Sequence, residues 1–128
     1  MQTKKKVLVV DDEPDIVEML QTALESASYE VVTACNGKEA IEKTRLEKPD
    51  AIILDLMMPE MDGFAASEEL KDTEETSRIP ILALSAFPQK GPREGYGRDL
   101  GFYLVTDDYI SKPVDPKKIL SRLQNVLE

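Results

Sequence analysis

Four short polar motifs in this chain could combine into a single site. Each one ends a short strand candidate: Asp11 and Asp12 follow VLVV, Asp55 follows AIIL, Ser85 follows ILAL, and Lys112 follows YIS. Open parallel α/β sheets hold their ligands at the carboxyl ends of the strands. Three carboxylates, a hydroxyl and an ammonium gathered there would suit a hard divalent cation and a phosphoryl group.

Each motif also has a simpler interpretation. Asp12 and Glu13 could begin a helix, because acidic residues suit helix caps and first turns. Asp55 could cap a loop, Ser85 could end a strand, and Lys112 could be an ordinary solvated side chain. The metal interpretation is favoured because adjacent carboxylates at a buried strand end repel each other unless a cation lies between them.

Strand and helix candidates alternate along the chain. The expected strands are Lys5–Val10, Tyr29–Cys35, Ala51–Leu54, Ile79–Leu84 and Tyr109–Ser111. The expected helices are Pro14–Ser28, Lys38–Glu47, Phe64–Lys71 and Asp115–Leu127, the last with Asp115 as its cap. This alternation is typical of an α/β fold with a parallel sheet and helices on both faces. The length of 128 residues fits one domain.

One stretch departs from regular patterning. Between Phe87 and Asp108, where another helix is due, the chain holds two prolines and four of its six glycines. Interior glycine costs a helix about 1 kcal/mol relative to alanine, and interior proline about 3 kcal/mol. We therefore expect an atypical helix region there, short or shifted.

Composition excludes several classes of protein. A formal charge of −9 argues against nucleic-acid binding, which needs clustered basic residues. The chain has no histidine, which excludes a Ser-His-Asp triad and a His-ligated zinc ion, and its one cysteine, Cys35, cannot form an intrachain disulfide. No apolar run approaches the roughly 20 residues of a membrane helix, and no signal peptide is evident, so we expect a cytoplasmic protein.

The motifs together resemble a known family. The segments VLVVDDEPDI, NGKEAI, PDAIILDLMMPEMDG, RIPILALSA and DDYISKPVD look like the receiver domain of two-component response regulators. The resemblance covers essentially the whole chain. It implies a single receiver domain over residues 1–128, with a doubly wound, five-stranded parallel sheet in the flavodoxin-like order 2-1-3-4-5. The segment between Ser85 and Lys112 is longer than the family norm.

The resemblance assigns a metal site and a phosphorylation site. It implies that Asp55 accepts a phosphoryl group. It also implies that Asp12 binds Mg²⁺ directly, with Asp11 as its neighbour and the backbone carbonyl of Met57 as a further metal contact. The cofactor expected from the resemblance is therefore Mg²⁺, bound by Asp11, Asp12, Asp55 and Met57.

Three further residues receive roles from the resemblance. Ser85 matches the hydroxyl that bonds to the phosphoryl oxygen, and Lys112 matches the ammonium that neutralises its charge. Tyr109 matches an aromatic switch residue that responds with Ser85, and its simpler interpretation is a half-buried core residue. The resemblance also implies a cis peptide bond between Lys112 and Pro113.

The expected function is that of a switch rather than a turnover enzyme. The partner would be a sensor histidine kinase or a histidine phosphotransfer protein, because this chain has no histidine to carry the phosphate. Two alternatives stay open. One is a receiver that serves as a scaffold without phosphorylation. The other is a Mg²⁺-dependent aspartyl-phosphate phosphohydrolase, although Met57 stands two residues after Asp55, where that enzyme class has a proton-transferring aspartate.

Overall fold

The fold is a five-stranded parallel sheet between helices. The structure is a computed structural model, and it describes residues 4–55, 63–85 and 107–127. The strands are β1 (Lys6–Val10), β2 (Glu30–Ala34), β3 (Ala51–Asp55), β4 (Ile81–Ser85) and β5 (Asp108–Ser111). The described helices are α1 (Pro14–Ser26), α2 (Gly37–Glu47), α3 (Gly63–Asp72) and α4 (Pro116–Leu127). The strand order is β2-β1-β3-β4-β5 with every pairing parallel, which agrees with the order expected from the resemblance.

Alternate residues of the central strands fill two hydrophobic cores on opposite faces of the sheet. Such alternation follows from the two-residue repeat of a strand. One core contains Val7, Val9, Leu20, Leu24, Ile119 and Leu123. The other contains Leu8, Val10, Ala40, Ile41, Ala66 and Leu70. The helices therefore cover both faces, with α1 and α4 on one side and α2 and α3 on the other, and the α/β class is confirmed.

Some element boundaries differ from those expected. Helix α1 ends at Ser26 rather than Ser28, because Ser28 has a left-handed φ of 72° and closes the helix. Strand β4 runs over Ile81–Ser85, whereas the sequence predicts Ile79–Leu84. The strand begins later because Ile79 belongs to a turn, in which its N–H donates to the Thr76 carbonyl. The atypical helix region lies outside the described residues except for Asp107 and Asp108. Among the described helices, none is long and apolar enough to cross a membrane.

A carboxylate ties the beginning of β5 to the beginning of β4. The Asp107 side chain accepts a hydrogen bond from Ile81 N–H at 2.7 Å, and Asp107 N–H donates to the Ile81 carbonyl at 2.8 Å. Lys71 of α3 donates to the same carboxylate at 3.0 Å and to the Ile79 carbonyl at 2.8 Å. The start of the strand that leads to Lys112 is thus fixed by backbone and charged contacts.

Helix α2 begins with a side-chain cap that the sequence pattern suggests only as a turn. The Asn36 side chain accepts from Glu39 N–H at 2.8 Å, and the Glu39 carboxylate accepts from Cys35 N–H at 2.8 Å. Helix starts leave their first N–H groups without intrahelical partners, and the bond to Asn36 satisfies that of Glu39. The bond to the Glu39 carboxylate satisfies the N–H of Cys35, which precedes the N-cap.

Replacing the cap should weaken the domain measurably. Asn36→Ala is expected to lower the free energy of unfolding by about 1 kcal/mol, because N-cap residues typically contribute that much. Urea denaturation followed by circular dichroism measures the change. Lys38→Ala, at an exposed position of the same turn, is the control. A loss no greater than that of the control would contradict the capping role.

Candidate functional site

Three aspartates meet at the carboxyl edge of the sheet. Asp11 directly follows β1, and Asp55 is the last residue of the neighbouring strand β3. One carboxylate oxygen from each of Asp11, Asp12 and Asp55 lies within 4.8 Å of the other two. Asp11 and Asp55 are buried, whereas Asp12 is exposed. The structure therefore brings together the carboxylates that the sequence motifs select.

Lys112 reaches the same cluster from the loop after β5. Its Nζ lies 3.3 Å from Asp11 Oδ2, 3.3 Å from Asp55 Oδ2 and 3.0 Å from Glu13 Oε2. The Lys112-Pro113 peptide bond is cis, as the resemblance implies. A single ammonium thus contacts three carboxylates from two separate segments of the chain.

The carboxyl group of Asp11 lies in an electrostatically unfavourable position. Burial raises the pKa of its carboxyl group to about 6, and the negative charge of Asp55 acts in the same direction. The hydrogen bond from Glu13 N–H and the charge of Lys112 oppose this shift in the pKa. An ionised Asp11 is consequently costly to bury unless further positive charge approaches it.

The donor set fits a hard divalent cation. Asp11 Oδ2 is buried and accepts no hydrogen bond from the described residues, although the ammonium of Lys112 lies near it. Buried polar oxygens are normally hydrogen-bonded or coordinated, so this atom has capacity for a ligand. Carboxylate oxygens are the ligands that Mg²⁺ prefers, and one or two of them suffice because Mg²⁺ keeps several waters.

Lys112 is held firmly in its charged form. Burial lowers the pKa of its ammonium, but the hydrogen bond to Glu13 and the charges of Asp11 and Asp55 outweigh burial, so the pKa is raised above its ordinary value. The site therefore keeps a permanent positive charge beside Asp55. A fixed cation at this place is suited to neutralise an incoming anionic group.

The remaining predicted residues are placed only in part. The Met57 carbonyl lies outside the described residues. Ser85 ends β4 and pairs in register with Ser111, while Tyr109 of β5 pairs with Ala83, but the side chains of Ser85 and Tyr109 lie outside the described part of the structure. Their predicted roles stay predictions.

Sequence reasoning missed one member of the cluster, Glu13. It considered Glu13 only as an acidic residue at the start of a helix, yet its carboxylate contacts Lys112. Glu13 does occupy the N-cap position of α1, but its side chain makes no cap hydrogen bond. The only sequence signal was a third acidic residue directly after Asp11 and Asp12.

Comparison with known proteins identifies the family. The family model of the response regulator receiver domain matches residues 7–124. The chain belongs to the response regulator receiver family. Receiver domains are parts of two-component signalling systems, and they generally bind Mg²⁺ at an acidic site such as the cluster of three aspartates described above.

Individual relatives agree with this assignment. The receiver domain is 42% identical over 123 residues to the alkaline phosphatase synthesis transcriptional regulatory protein PhoP of Bacillus subtilis, covering 96% of this chain and 48% of that protein. The chain thus spans about half the length of the curated relatives it matches. A putative response regulator from Chloroflexus aurantiacus has a similar structure, with a TM-score of 0.86, 30% identity and 98% of each chain covered.

One structural neighbour was solved with a metal ion. It is the receiver domain of sensor histidine kinase PA1611 from Pseudomonas aeruginosa, described with a magnesium ion coordinated in the active site cleft. This receiver domain superposes on it with a TM-score of 0.83, 29% identity and 98% of each chain covered.

Removing the charge of Asp11 should stabilise the metal-free domain. Asp11→Asn keeps the oxygen that accepts from Glu13 N–H but relieves the repulsion with Asp55. At about pH 8, in EDTA, we expect the free energy of unfolding to rise by about 1 kcal/mol, since Lys112 and solvent screen part of the cost of the carboxylate. Urea denaturation checks this value.

Mg²⁺ provides the second half of this prediction. The wild-type protein should gain about 2.7 kcal/mol when free Mg²⁺ is about 100 times its Kd, and the Asp11→Asn variant should gain less at the same concentration. Asp72→Asn, at an exposed position of α3, is the control and should respond to Mg²⁺ as the wild type does. Equal Mg²⁺ stabilisation of the wild type and Asp11→Asn would contradict the placement of Asp11 in the metal site.

Proposed function

We propose that this receiver domain accepts a phosphoryl group on Asp55 in a Mg²⁺-dependent transfer from a phosphohistidine of a partner protein. The observation that carries the proposal is the setting of Asp55. It is buried at the end of β3, with two other carboxylates within 4.8 Å and the ammonium of Lys112 at 3.3 Å. A nucleophile, a cation site and a fixed positive charge are the parts that phosphoryl transfer requires.

The transfer needs no proton movement at Asp55. A carboxylate oxygen of Asp55 attacks the phosphorus and forms a new P–O bond, while the bond from phosphorus to the donor nitrogen breaks and its electron pair leaves with the imidazole. Asp55 is suited to this role because its carboxylate is the nucleophilic form. Lys112 donates hydrogen bonds to the anionic group and keeps the nucleophile oriented.

Asp11, Asp12 and Asp55 would hold the metal ion, with the Met57 carbonyl proposed as a further contact. When bound, Mg²⁺ supplies positive charge that neutralises phosphoryl oxygens. It would also offset the repulsion that raises the pKa of Asp11. Ser85 and Tyr109 are proposed as the residues that respond to phosphorylation and transmit the change to a partner surface.

The proposed partners follow from the family and the composition. A sensor histidine kinase or a histidine phosphotransfer protein would donate the phosphate, since this chain has no histidine. The Bacillus subtilis relative is described as a transcriptional regulatory protein, so control of transcription is one proposed output, through a part of the protein beyond this receiver domain. We propose that the domain itself acts in the cytoplasm as a switch, neither as a turnover enzyme nor as a nucleic-acid-binding module.

Phosphorylation of Asp55 can be tested directly. After incubation with Mg²⁺ and acetyl phosphate, mass spectrometry should show the gain of one phosphoryl group. The gain should be lost in Asp55→Asn and in the presence of EDTA. Asp72→Asn removes a carboxylate far from the cluster and should be phosphorylated as the wild type is.

Other outcomes would favour the alternatives. No phosphoryl gain with acetyl phosphate or with a phosphorylated histidine kinase would overturn the proposal and favour a scaffold receiver. Steady release of phosphate from ordinary phosphoesters would favour a phosphohydrolase. Met57 counts against that second outcome, because its side chain cannot transfer the proton that such an enzyme moves.

A further inference from the structure

We propose that Glu13 is a positioning residue that holds Lys112 before phosphorylation and releases it to the phosphoryl group on Asp55. The inference rests on the proposed function of Asp55. In this arrangement Glu13 is the exchangeable partner of the lysine, and its charge lowers the rate at which the domain is phosphorylated.

The first support is the position of Glu13 at the start of α1. The N-cap side chain of a helix usually accepts a hydrogen bond from a backbone N–H of the first turn. Glu13 is the N-cap residue, but its side chain makes no such bond and instead lies 3.0 Å from Lys112 Nζ. Glu13 therefore does not cap the helix with its side chain. Its carboxylate instead accepts a hydrogen bond from Lys112, 99 residues further along the chain.

The second support is the number of acceptors around Lys112. An ammonium group has three N–H donors. In the described part of the chain three carboxylates surround it, those of Asp11, Asp55 and Glu13. Two of its donors bond to Glu13 and Asp55, and the ammonium also lies 3.3 Å from Asp11 Oδ2. A phosphoryl oxygen that binds Lys112 must therefore compete with these carboxylates.

The exposure of the three carboxylates determines which one leaves. The side chains of Asp11 and Asp55 are 0% and 3% exposed, whereas that of Glu13 is 59% exposed. A buried carboxylate that loses its cation remains desolvated, but an exposed carboxylate is rehydrated at little cost. Glu13 is therefore the partner that Lys112 can lose most readily.

This arrangement predicts faster phosphorylation when the charge of residue 13 is removed. In Glu13→Gln, Lys112 keeps its contacts with Asp11 and Asp55 but no longer has to leave an ion pair to bind the phosphoryl group. We expect the ratio of maximal rate to half-saturating acetyl phosphate concentration to rise roughly two- to five-fold, in line with the strength of an exposed ion pair. The difference in this ratio between Glu13→Gln and the wild type should become smaller at high ionic strength, because salt screens the ion pair.

Two further variants separate positioning from other effects. Asp15→Asn removes one negative charge from the same first turn of α1, and no contact between Asp15 and Lys112 is found among the described residues, so its phosphorylation rate should match the wild type. Glu13→Asp has a shorter side chain that suits an N-cap and falls short of Lys112. We expect it to raise the melting temperature of the metal-free protein and still to be phosphorylated as fast as Glu13→Gln.

A readout without phosphate or metal completes the test. In the metal-free protein, the side-chain ¹H–¹⁵N signal of Lys112 should shift and weaken in Glu13→Gln, because loss of the ion pair speeds exchange of its protons with water. The signal should be unchanged in Asp15→Asn.

The outcomes distinguish this inference from the function on which it rests. Phosphorylation of the wild type with equal rates in Glu13→Gln would overturn the role of Glu13 alone. An equal acceleration in Asp15→Asn would also overturn it, because a general charge effect would then suffice. No phosphorylation of the wild type would overturn the proposed function of Asp55 and this inference together.

Discussion

The functional site depends on holding several carboxylates close together at a position that water only partly solvates. Asp11 directly follows β1 and Asp55 ends the neighbouring strand β3, so the backbone register brings them together despite their mutual repulsion. Lys112 offsets part of that repulsion in the metal-free state. The hydrogen bonds between β1 and β3 hold the two aspartates in place against the remaining repulsion. The carboxylates therefore repel one another before any ligand binds, and a bound cation can relieve this repulsion.

The position of Lys112 depends on contacts well away from the aspartates. Strand β5, which leads to the lysine, is an edge strand and pairs only with β4 in the described sheet. Asp107 ties its beginning to Ile81, and Asp108 receives a hydrogen bond from Arg122 of α4 at 2.7 Å. These charged contacts help to hold β5, and with it the residue that follows, Lys112, against the sheet.

Much of the fold and part of the site could be predicted from the sequence. Apolar runs that end in Asp11 or Asp55 specify both the buried strands and the edge at which the carboxylates converge, because parallel strands share one direction. The exact end of α1 and the contact of Glu13 were missed. The helix end depends on the left-handed backbone of Ser28, and a serine in the sequence does not predict that conformation. The role of Glu13 depends on Lys112, which only the tertiary fold brings near. The predicted side-chain roles of Ser85 and Tyr109 and the Met57 carbonyl contact concern parts of the chain beyond the described structure.

The firm attachment of Asp107 has a consequence for how such domains diverge. The connection from β4 to β5 departs after Ser85 and returns at a residue that is bonded to both the sheet and Lys71. Both ends of this connection are therefore fixed, and each doubling of the length of a flexible connection adds only about 0.6 kcal/mol of closure entropy. A change in the length of this connection is therefore expected to leave its anchored ends, and Lys112 after β5, in place.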